Sequence, residues 1–148
     1  MQCIPEFGEL DPGANYVLRP GGYALVRNDA GRIAIVATPI GLALPGGGQE
    51  SGESSEEAAR REILEECGLH IRIDDFLGIA DELVFAKELD THYRKRCTFF
   101  LASLVSSEGI ATEADHQLVW MSPKNATARL LHGSQRWAVQ EACRRWEL

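Results

Sequence analysis

An acidic stretch directly after a run of three glycines is the feature that most constrains this chain. Residues 45–69 read PGGGQESGESSEEAARREILEECGL and contain seven glutamates. Like charges on neighbouring helical turns repel each other by a few tenths of a kcal/mol per pair. Either water or a bound cation must therefore offset the repulsion. A solvated acidic helix and a metal site are the two interpretations to separate.

The helix inside this stretch has clear ends in the sequence. Ser54 can cap its first turn, and Glu57 three residues later completes a capping box. Gly68 follows the last helical residue, where a left-handed backbone conformation favours glycine. The sequence therefore predicts a helix over residues 55–67.

Three carboxylates of this helix project into one sector. At 100° per residue, Glu62, Glu65 and Glu66 lie together at the margin of the apolar face. Carboxylate oxygens in such a group suit a hard divalent cation such as Mg²⁺. Gly46 and Gly47 lack Cβ atoms, so their backbone can turn a carbonyl toward the same ion.

Arg61 lies on the other side of the predicted helix from these carboxylates. It can pair with Glu53 in the preceding loop. Such a pair would hold the loop against the helix, which gives Glu53 and Arg61 a structural role in support of the site.

The length and composition are those of an ordinary single domain. The chain has 148 residues, of which 45% are hydrophobic and 25% charged, enough for one core. The first ten residues lack the basic and apolar segments of a signal peptide. No apolar run is long enough to cross a bilayer. We therefore expect a cytoplasmic protein without membrane contact.

Charge and cysteine spacing argue against two further classes. The net charge is −7, whereas a protein that binds extended nucleic acid normally carries a basic face. A phosphate-bearing ligand should therefore be small, with a divalent cation to offset the repulsion. The four cysteines form no CxxC pair, which argues against a structural zinc site or a disulfide framework.

Strand and helix patterns interleave along the chain without regular β/α spacing. Residues 16–28 have strand character that Pro20–Gly22 should interrupt, and a turn separates them from a return strand at 32–38. This order favours a mixed-sheet α/β or α+β sandwich over a doubly wound parallel sheet. The later patterns predict strands within 70–85 and at 93–105 and 116–122, and helices at 124–131 and 135–146.

The acidic stretch resembles the Nudix box, G-x5-E-x7-R-E-U-x-E-E-x-G-U, in which U is a bulky aliphatic residue. Over residues 47–69 the required positions are all matched, by Gly47, Glu53, Arg61, Glu62, Ile63, Glu65, Glu66, Gly68 and Leu69. A match of this specificity is a far stronger signal than a short glycine motif. By this resemblance the chain is identified as a MutT-like member of the Nudix family.

The resemblance implies a fold, a reaction and a metal. Nudix proteins have an α/β/α sandwich around a mixed sheet, which here would be a single domain over residues 1–148. They hydrolyse nucleoside diphosphates linked to another group, with the help of Mg²⁺ or Mn²⁺. The matched positions assign the metal ligands, which are Gly46 through its carbonyl, Glu62, Glu65 and Glu66. Glu65 and Glu66 are also assigned catalytic roles.

In MutT-like relatives a further acid, from a loop before a late strand, completes the site. Here that loop reads EGIATEADHQLVW and contains Glu113, Asp115 and His116. Each of the three could accept the proton of the attacking water. We expect Glu113, slightly ahead of Asp115, to reach the diphosphate, with Glu65 as the next candidate base.

The substrate class follows mainly from missing features. Relatives that act on ADP-ribose often carry a proline after the box, whereas this chain has Val84 there. Features typical of dinucleoside polyphosphate and coenzyme A hydrolases are also missing. Elimination favours a nucleoside triphosphate, hydrolysed to the monophosphate and pyrophosphate, with oxidised-nucleotide clean-up as one form of this activity. Two alternatives stay open: an ADP-ribose or other nucleotide-sugar pyrophosphatase, and a nucleotide-sensing Nudix domain without hydrolysis.

Basic residues near the box are the candidates for binding substrate phosphates. They are Arg19, Arg27, Lys87 and Arg94. The expected partner is thus a small nucleotide, with no extended nucleic acid. The sequence leaves the oligomeric state open, a homodimer included.

Overall fold

The chain folds into one mixed sheet with helices on both faces. The structure, a computed structural model, describes residues 3–148, so the first two residues of the predicted 1–148 domain lie outside it. The strands within that range are β1 (Glu6–Phe7), β2 (Tyr16–Arg27), β3 (Ile33–Thr38), β4 (Gly41–Ala43), β5 (Gly46–Gly48), β6 (His70–Ala86), β7 (Thr91–Ser106) and β8 (Gln117–Met121). The α-helices are α1 (Ser55–Cys67), α2 (Pro123–Arg129) and α3 (Gly133–Arg145).

The strand order places the glycine run beside the middle of β2. The sheet runs β1–β6–β7–β2–β3–β4, with β5 paired to β2 and β8 paired to β3. The β1–β6 and β2–β7 pairs are parallel, and the other pairs are antiparallel. On the edge away from β7, β2 pairs with β5 at Gly21–Tyr23 and reaches β3 only at Arg27.

Strand alternation divides the core into two layers. Successive side chains of a strand point to opposite faces of a sheet. Ala24 and Val26 therefore pack with Ile63 of α1 on one face. Leu25 packs with Val139 of α3 on the other. This arrangement confirms the α/β/α sandwich around a mixed sheet.

The predicted break at Pro20–Gly22 does not occur, because β2 runs unbroken through these residues. The glycines allow close approach instead. A Cβ added to Gly22 would collide with the Ser55 carbonyl, and one on Gly21 would lie 2.6 Å from the Gly47 oxygen. The missing side chains thus let β5 and the start of α1 pack directly against β2.

The remaining predicted elements are observed, with ends that differ by no more than two residues. Residues 70–86 form one long strand, whose pairing with β7 shifts register at three places. The short strands β1, β4 and β5 were not predicted, because two or three residues carry too little periodic pattern. No helix within residues 3–148 combines the length and the apolar character needed to cross a membrane.

Candidate functional site

The capping residues fix where α1 begins and ends, and so set the directions of its carboxylates. Ser54 Oγ accepts from the Glu57 N–H and the Glu57 carboxylate accepts from the Ser54 N–H, both at 3.1 Å. Gly68 ends the helix with φ of 67° and donates its N–H to the Leu64 carbonyl at 2.9 Å. The predicted capping box and left-handed glycine are both present, so the 55–67 helix has the predicted boundaries.

The glycine run brings backbone groups directly to these carboxylates. The Gly46 N–H donates to Glu66 Oε1 at 2.9 Å. A Cβ on Gly47 would lie 2.7 Å from Glu62 Cδ, so any other residue at position 47 would displace that side chain. Gly46 itself has φ of 141°, a conformation that side-chain-bearing residues rarely adopt.

Arg61 is the centre of an ionic network that joins the loop to the helix. Its guanidinium binds Glu53 bidentately at 2.8 and 3.0 Å and also donates to the Gly48 carbonyl at 3.0 Å. The predicted Arg61–Glu53 pair is thus present. The helical projection did not predict two further contacts: Arg61 Nη1 lies 2.8 Å from Glu62 and 3.4 Å from Glu65. Arg61 therefore lies beside the carboxylates, and not across the helix from them.

Burial makes the ionised form of two α1 carboxylates energetically unfavourable. Only 8% of Glu66 is exposed, and this burial raises its pKa to about 7; the Gly46 hydrogen bond opposes the rise, while the Glu62 charge adds to it. Burial also raises the pKa of Glu62, although Arg61 lowers it in part. Since a buried negative charge is stabilised by a nearby cation, this pair of carboxylates favours the metal-site interpretation over a solvated helix.

The loop before β8 lies against the end of α1. Its backbone donates from Thr112 and Glu113 to the Glu65 carbonyl at 2.8 and 3.1 Å. One oxygen or nitrogen ligand atom from each of Glu113, Asp115 and His116 lies within 4.8 Å of the others. His116 Nε2 is 3.5 Å from Glu66 Oε2. The structure thus brings all three candidate residues close to the box.

A cavity of about 860 Å³ extends from this region across the sheet. Glu62, Glu66, Glu113 and His116 line it together with the glycines of β5. It is also lined by Tyr23, Tyr93, Glu82 and Gln135. This size lies within the range of ligand pockets, and a nucleotide-sized ligand can reach the box carboxylates from it.

The predicted phosphate-binding cations divide into two groups. Arg19 lines the cavity and stacks over the Tyr93 ring at 5.4 Å. Arg27 lies elsewhere, over the Trp146 ring at 4.7 Å, and Arg94 is paired with Asp81 at 3.1 Å. Lys87 is exposed in the β6–β7 turn and does not line the cavity.

Sequence reasoning missed Lys95, which lines the same cavity. The signal was in the sequence YRKRC, because alternation along a strand puts Tyr93 and Lys95 on one face and Arg94 and Arg96 on the other. Arg94 and Arg96 both pair with Asp81, whereas Lys95 has no ion-pair partner among residues 3–148. Glu82 and Gln135 were also missed, since buried polar residues in apolar patterns give no periodic signal.

Comparison with known proteins decides the family. The model of the NUDIX domain matches residues 17–142. The chain belongs to the Nudix family. A Bacillus subtilis (strain 168) protein described as "Putative 8-oxo-dGTP diphosphatase" is 32% identical over 107 residues, which cover 70% of this chain and 66% of that protein. The chain thus spans just under two thirds of this relative's length.

Solved structures agree on the fold. The MutT NUDIX hydrolase from Burkholderia pseudomallei is 27% identical, with a TM-score of 0.63 over 84% of this chain and 98% of that one. A NUDIX hydrolase from Nitrosomonas europaea, 21% identical, has a TM-score of 0.69 over 85% of this chain and 88% of its own. The predicted MutT-like Nudix identity is confirmed.

The chemistry of the donor set fits a divalent metal, which Nudix proteins generally use. Glu62 and Glu66 of one helix both line the cavity. Glu65 does not line it, and contacts the same Arg61 guanidinium as Glu62. Hard oxygen donors with excess negative charge are the ligands that Mg²⁺ and Mn²⁺ prefer.

Arg61→Ala should lower stability and activity together. The substitution removes the bidentate hold on Glu53 and the contacts to Glu62 and Glu65. We expect a melting temperature lower by several degrees and a rate reduced by at least about tenfold, as for residues that orient metal ligands. Arg60→Ala is the matched control, because Arg60 forms only an exposed pair with Glu56 at 3.3 Å. Equal melting temperatures for the two variants would refute the structural role.

Glu66→Gln should stabilise the metal-free protein at high pH. The raised pKa of Glu66 means that its contribution to stability is present below about pH 4.5 and lost as pH rises through about 7. In EDTA the variant should therefore be more stable than the wild type at pH 8, by roughly 1–3 kcal/mol, with little difference near pH 4.5. Added Mg²⁺ should reverse the order at pH 8, because a ligand that binds the native state stabilises it. Melting curves at both pH values test this. If Mg²⁺ leaves the variant more stable than the wild type at pH 8, Glu66 is not a metal ligand.

Proposed function

We propose that the protein is a Mg²⁺-dependent Nudix pyrophosphohydrolase that converts a nucleoside triphosphate to the monophosphate and pyrophosphate. The observation that carries this proposal is that two box carboxylates, Glu62 and Glu66, line a nucleotide-sized cavity that is also lined by the cations Arg19 and Lys95. The name of the Bacillus subtilis relative, "Putative 8-oxo-dGTP diphosphatase", supports a triphosphate substrate and oxidised-nucleotide clean-up. The proposal includes a single domain over residues 1–148 and a cytoplasmic location.

The metal would be held by the Gly46 carbonyl and by Glu62, Glu65 and Glu66. When bound, it would neutralise charge on the phosphoryl group and acidify the attacking water. The protein's own part is to keep these ligands in place, and the Gly46 N–H and Arg61 do so through the contacts at Glu66 and Glu62. Mn²⁺ could serve in place of Mg²⁺, because it takes the same oxygen ligands.

The proton of the attacking water needs an acceptor within reach of the site. Glu113 lines the cavity and its backbone is held by the Glu65 carbonyl. A carboxylate in this position can act as a general base when ionised. We assign Glu113 this role, with Glu65 as the alternative base inside the box.

Arg19 and Lys95 are the cavity cations suited to the substrate phosphates. Both side chains point to the cavity face of the sheet, on the neighbouring strands β2 and β7, where Arg19 and Lys95 are register partners. Two adjacent cations offset the charge of a triphosphate that the metal does not neutralise. This pair takes the place of Arg27, Lys87 and Arg94 as the proposed phosphate-binding group.

The activity is tested by a screen of nucleotides with Mg²⁺ and with Mn²⁺ in which the products are resolved. Release of pyrophosphate and a monophosphate from nucleoside triphosphates, lost in EDTA, is the expected result. AMP from ADP-ribose would instead identify a nucleotide-sugar pyrophosphatase. Tight nucleotide binding without any product would identify the nucleotide-sensing alternative.

Lys95→Met should weaken substrate binding. We expect KM for the triphosphate to rise about tenfold, because one charge-assisted contact to phosphate is lost, with a smaller change in kcat. Lys124→Met is the matched control, since Lys124 is exposed on α2 away from the cavity. Steady-state kinetics of both variants check this; equal KM values for the two would remove Lys95 from the phosphate-binding group.

Variants of the late loop should identify the base. Glu113→Gln should reduce kcat by at least about a hundredfold and remove the acidic limb of the pH–rate profile, because general-base catalysis contributes at this level. Asp115→Asn and His116→Ala should have smaller effects, and Glu108→Gln in the same loop is the control. If none of the variants changes the rate by more than about threefold, the base lies within the box, with Glu65 first.

A further inference from the structure

A buried carboxylate lines the cavity on β6, three strand positions from β5. Glu82 on β6 is 6% exposed. Its Oε1 accepts from the Ser134 N–H at the start of α3, at 2.9 Å. No hydrogen bond within residues 3–148 reaches Oε2, and His132 Nδ1 is 4.0 Å from it. Every fully enclosed polar side-chain atom in the described chain has a hydrogen-bond partner. Because Oε2 has none, it is not fully enclosed, and it faces the cavity that Glu82 lines.

A buried amide lines the same cavity, one residue after Ser134, whose N–H binds this carboxylate. Gln135 is 5% exposed, and its Oε1 accepts from the Leu44 N–H at 2.8 Å. Its Nε2 donates to no group within the described residues. An acceptor from Glu82 and a donor from Gln135 are thus both available to a ligand. Leaving such buried groups unpaired costs free energy, so a ligand that pairs with both gains affinity.

The charges along the cavity set the direction of a bound nucleotide. Carboxylates occupy the box end. Across the sheet from it, Arg19 on β2 pairs with Lys95 on β7, and Lys95 pairs with Glu82 on β6. Two strands, β7 and β2, separate Glu82 from β5 in the sheet, which amounts to about 14 Å along the sheet. The phosphates belong with the metal ligands and cations, because the Glu82 carboxylate repels them. The base therefore lies at the Glu82 end.

We propose that Glu82 and Gln135 select the base, favouring bases that present a ring N–H beside a carbonyl, as guanine, hypoxanthine and uracil do. This inference rests on the proposed function and specifies its substrate class. An ionised carboxylate only accepts hydrogen bonds, so Glu82 suits the ring N–H. Gln135 Nε2 is a donor, and a carbonyl oxygen accepts from it. Adenine and cytosine present an unprotonated ring nitrogen at this edge, which a carboxylate repels.

The α3 N-terminus holds the Glu82 carboxylate in position. A helix N-terminus stabilises a negative charge through its dipole and its free N–H groups, and the Ser134 N–H binds Glu82 directly. The side chain is also held in place by this contact. Glu82 is therefore fixed in position, as discrimination between bases requires.

The test compares base preference in the wild type and two near-isosteric variants. Glu82→Gln keeps the acceptor for Ser134 and adds a donor, and Gln135→Glu keeps the acceptor for Leu44 and removes the donor. Glu88→Gln, exposed in the β6–β7 turn, is the matched control. For each protein, kcat/KM is measured with GTP, ITP, UTP, ATP and CTP. Calorimetry with the corresponding monophosphates measures binding without hydrolysis, and melting curves confirm folding.

We expect the wild type and the control to prefer the guanine, hypoxanthine and uracil nucleotides by about tenfold or more, since a good base contact discriminates by this amount. In Glu82→Gln and in Gln135→Glu the ratio of kcat/KM between the preferred and the other nucleotides should fall toward one. Unchanged base ratios in both folded variants would overturn the proposal. The proposal would also be overturned if the variants changed only the ratio of kcat/KM for GTP to that for dGTP, because this result would place Glu82 at the sugar.

The two readouts separate this inference from the proposed function. Hydrolysis of all five triphosphates at equal rates would leave the pyrophosphohydrolase activity intact and refute the base selection. Selective binding of GMP, IMP and UMP that depends on Glu82, without hydrolysis of any triphosphate, would support the base selection and refute the pyrophosphohydrolase activity.

Discussion

Repulsion among the carboxylates of α1 is the constraint on which the rest of the site depends. Glu62 and Glu66 are mostly removed from water, and burial raises the pKa of each. The protein offsets this cost only in part, with the Arg61 guanidinium on one side and the Gly46 N–H on the other. A divalent cation bound beside these carboxylates would remove the repulsion that folding leaves in place.

The glycines explain how backbone and carboxylates come so close. Gly22 lets the first turn of α1 lie on β2, Gly21 lets β5 approach the same strand, and Gly47 leaves room for Glu62. Each close approach would be lost with a single methyl group. The run of three glycines and the pair on β2 therefore act together, and the position of the carboxylates depends on both.

The sequence was most informative where local rules apply. The capping box, the left-handed Gly68 and the 3.6-residue periodicity define α1 without tertiary information, and the box motif leads to the family. Long-range contacts were less predictable. Pro20–Gly22 suggested a break because local propensity could not reveal that α1 packs there. Lys95 was overlooked in favour of Arg94, since choosing between the two faces of β7 requires knowing which face the cavity uses. Glu82 gave no signal at all, because its role depends on the start of α3, far along the chain.

The parallel pairing of β2 with β7 has a consequence for how the chain folds during synthesis. Every β2 residue pairs with a residue about 76 positions later, from Tyr16 with His92 to Arg27 with Ser103. At typical ribosomal rates β2 therefore waits roughly 4–15 s for its central partner. Contacts of such long sequence separation slow folding. The β2–β3 turn, β5 and α1 are synthesised earlier, so the edge of β2 that later binds β7 stays unpaired and exposed to other strands throughout this interval.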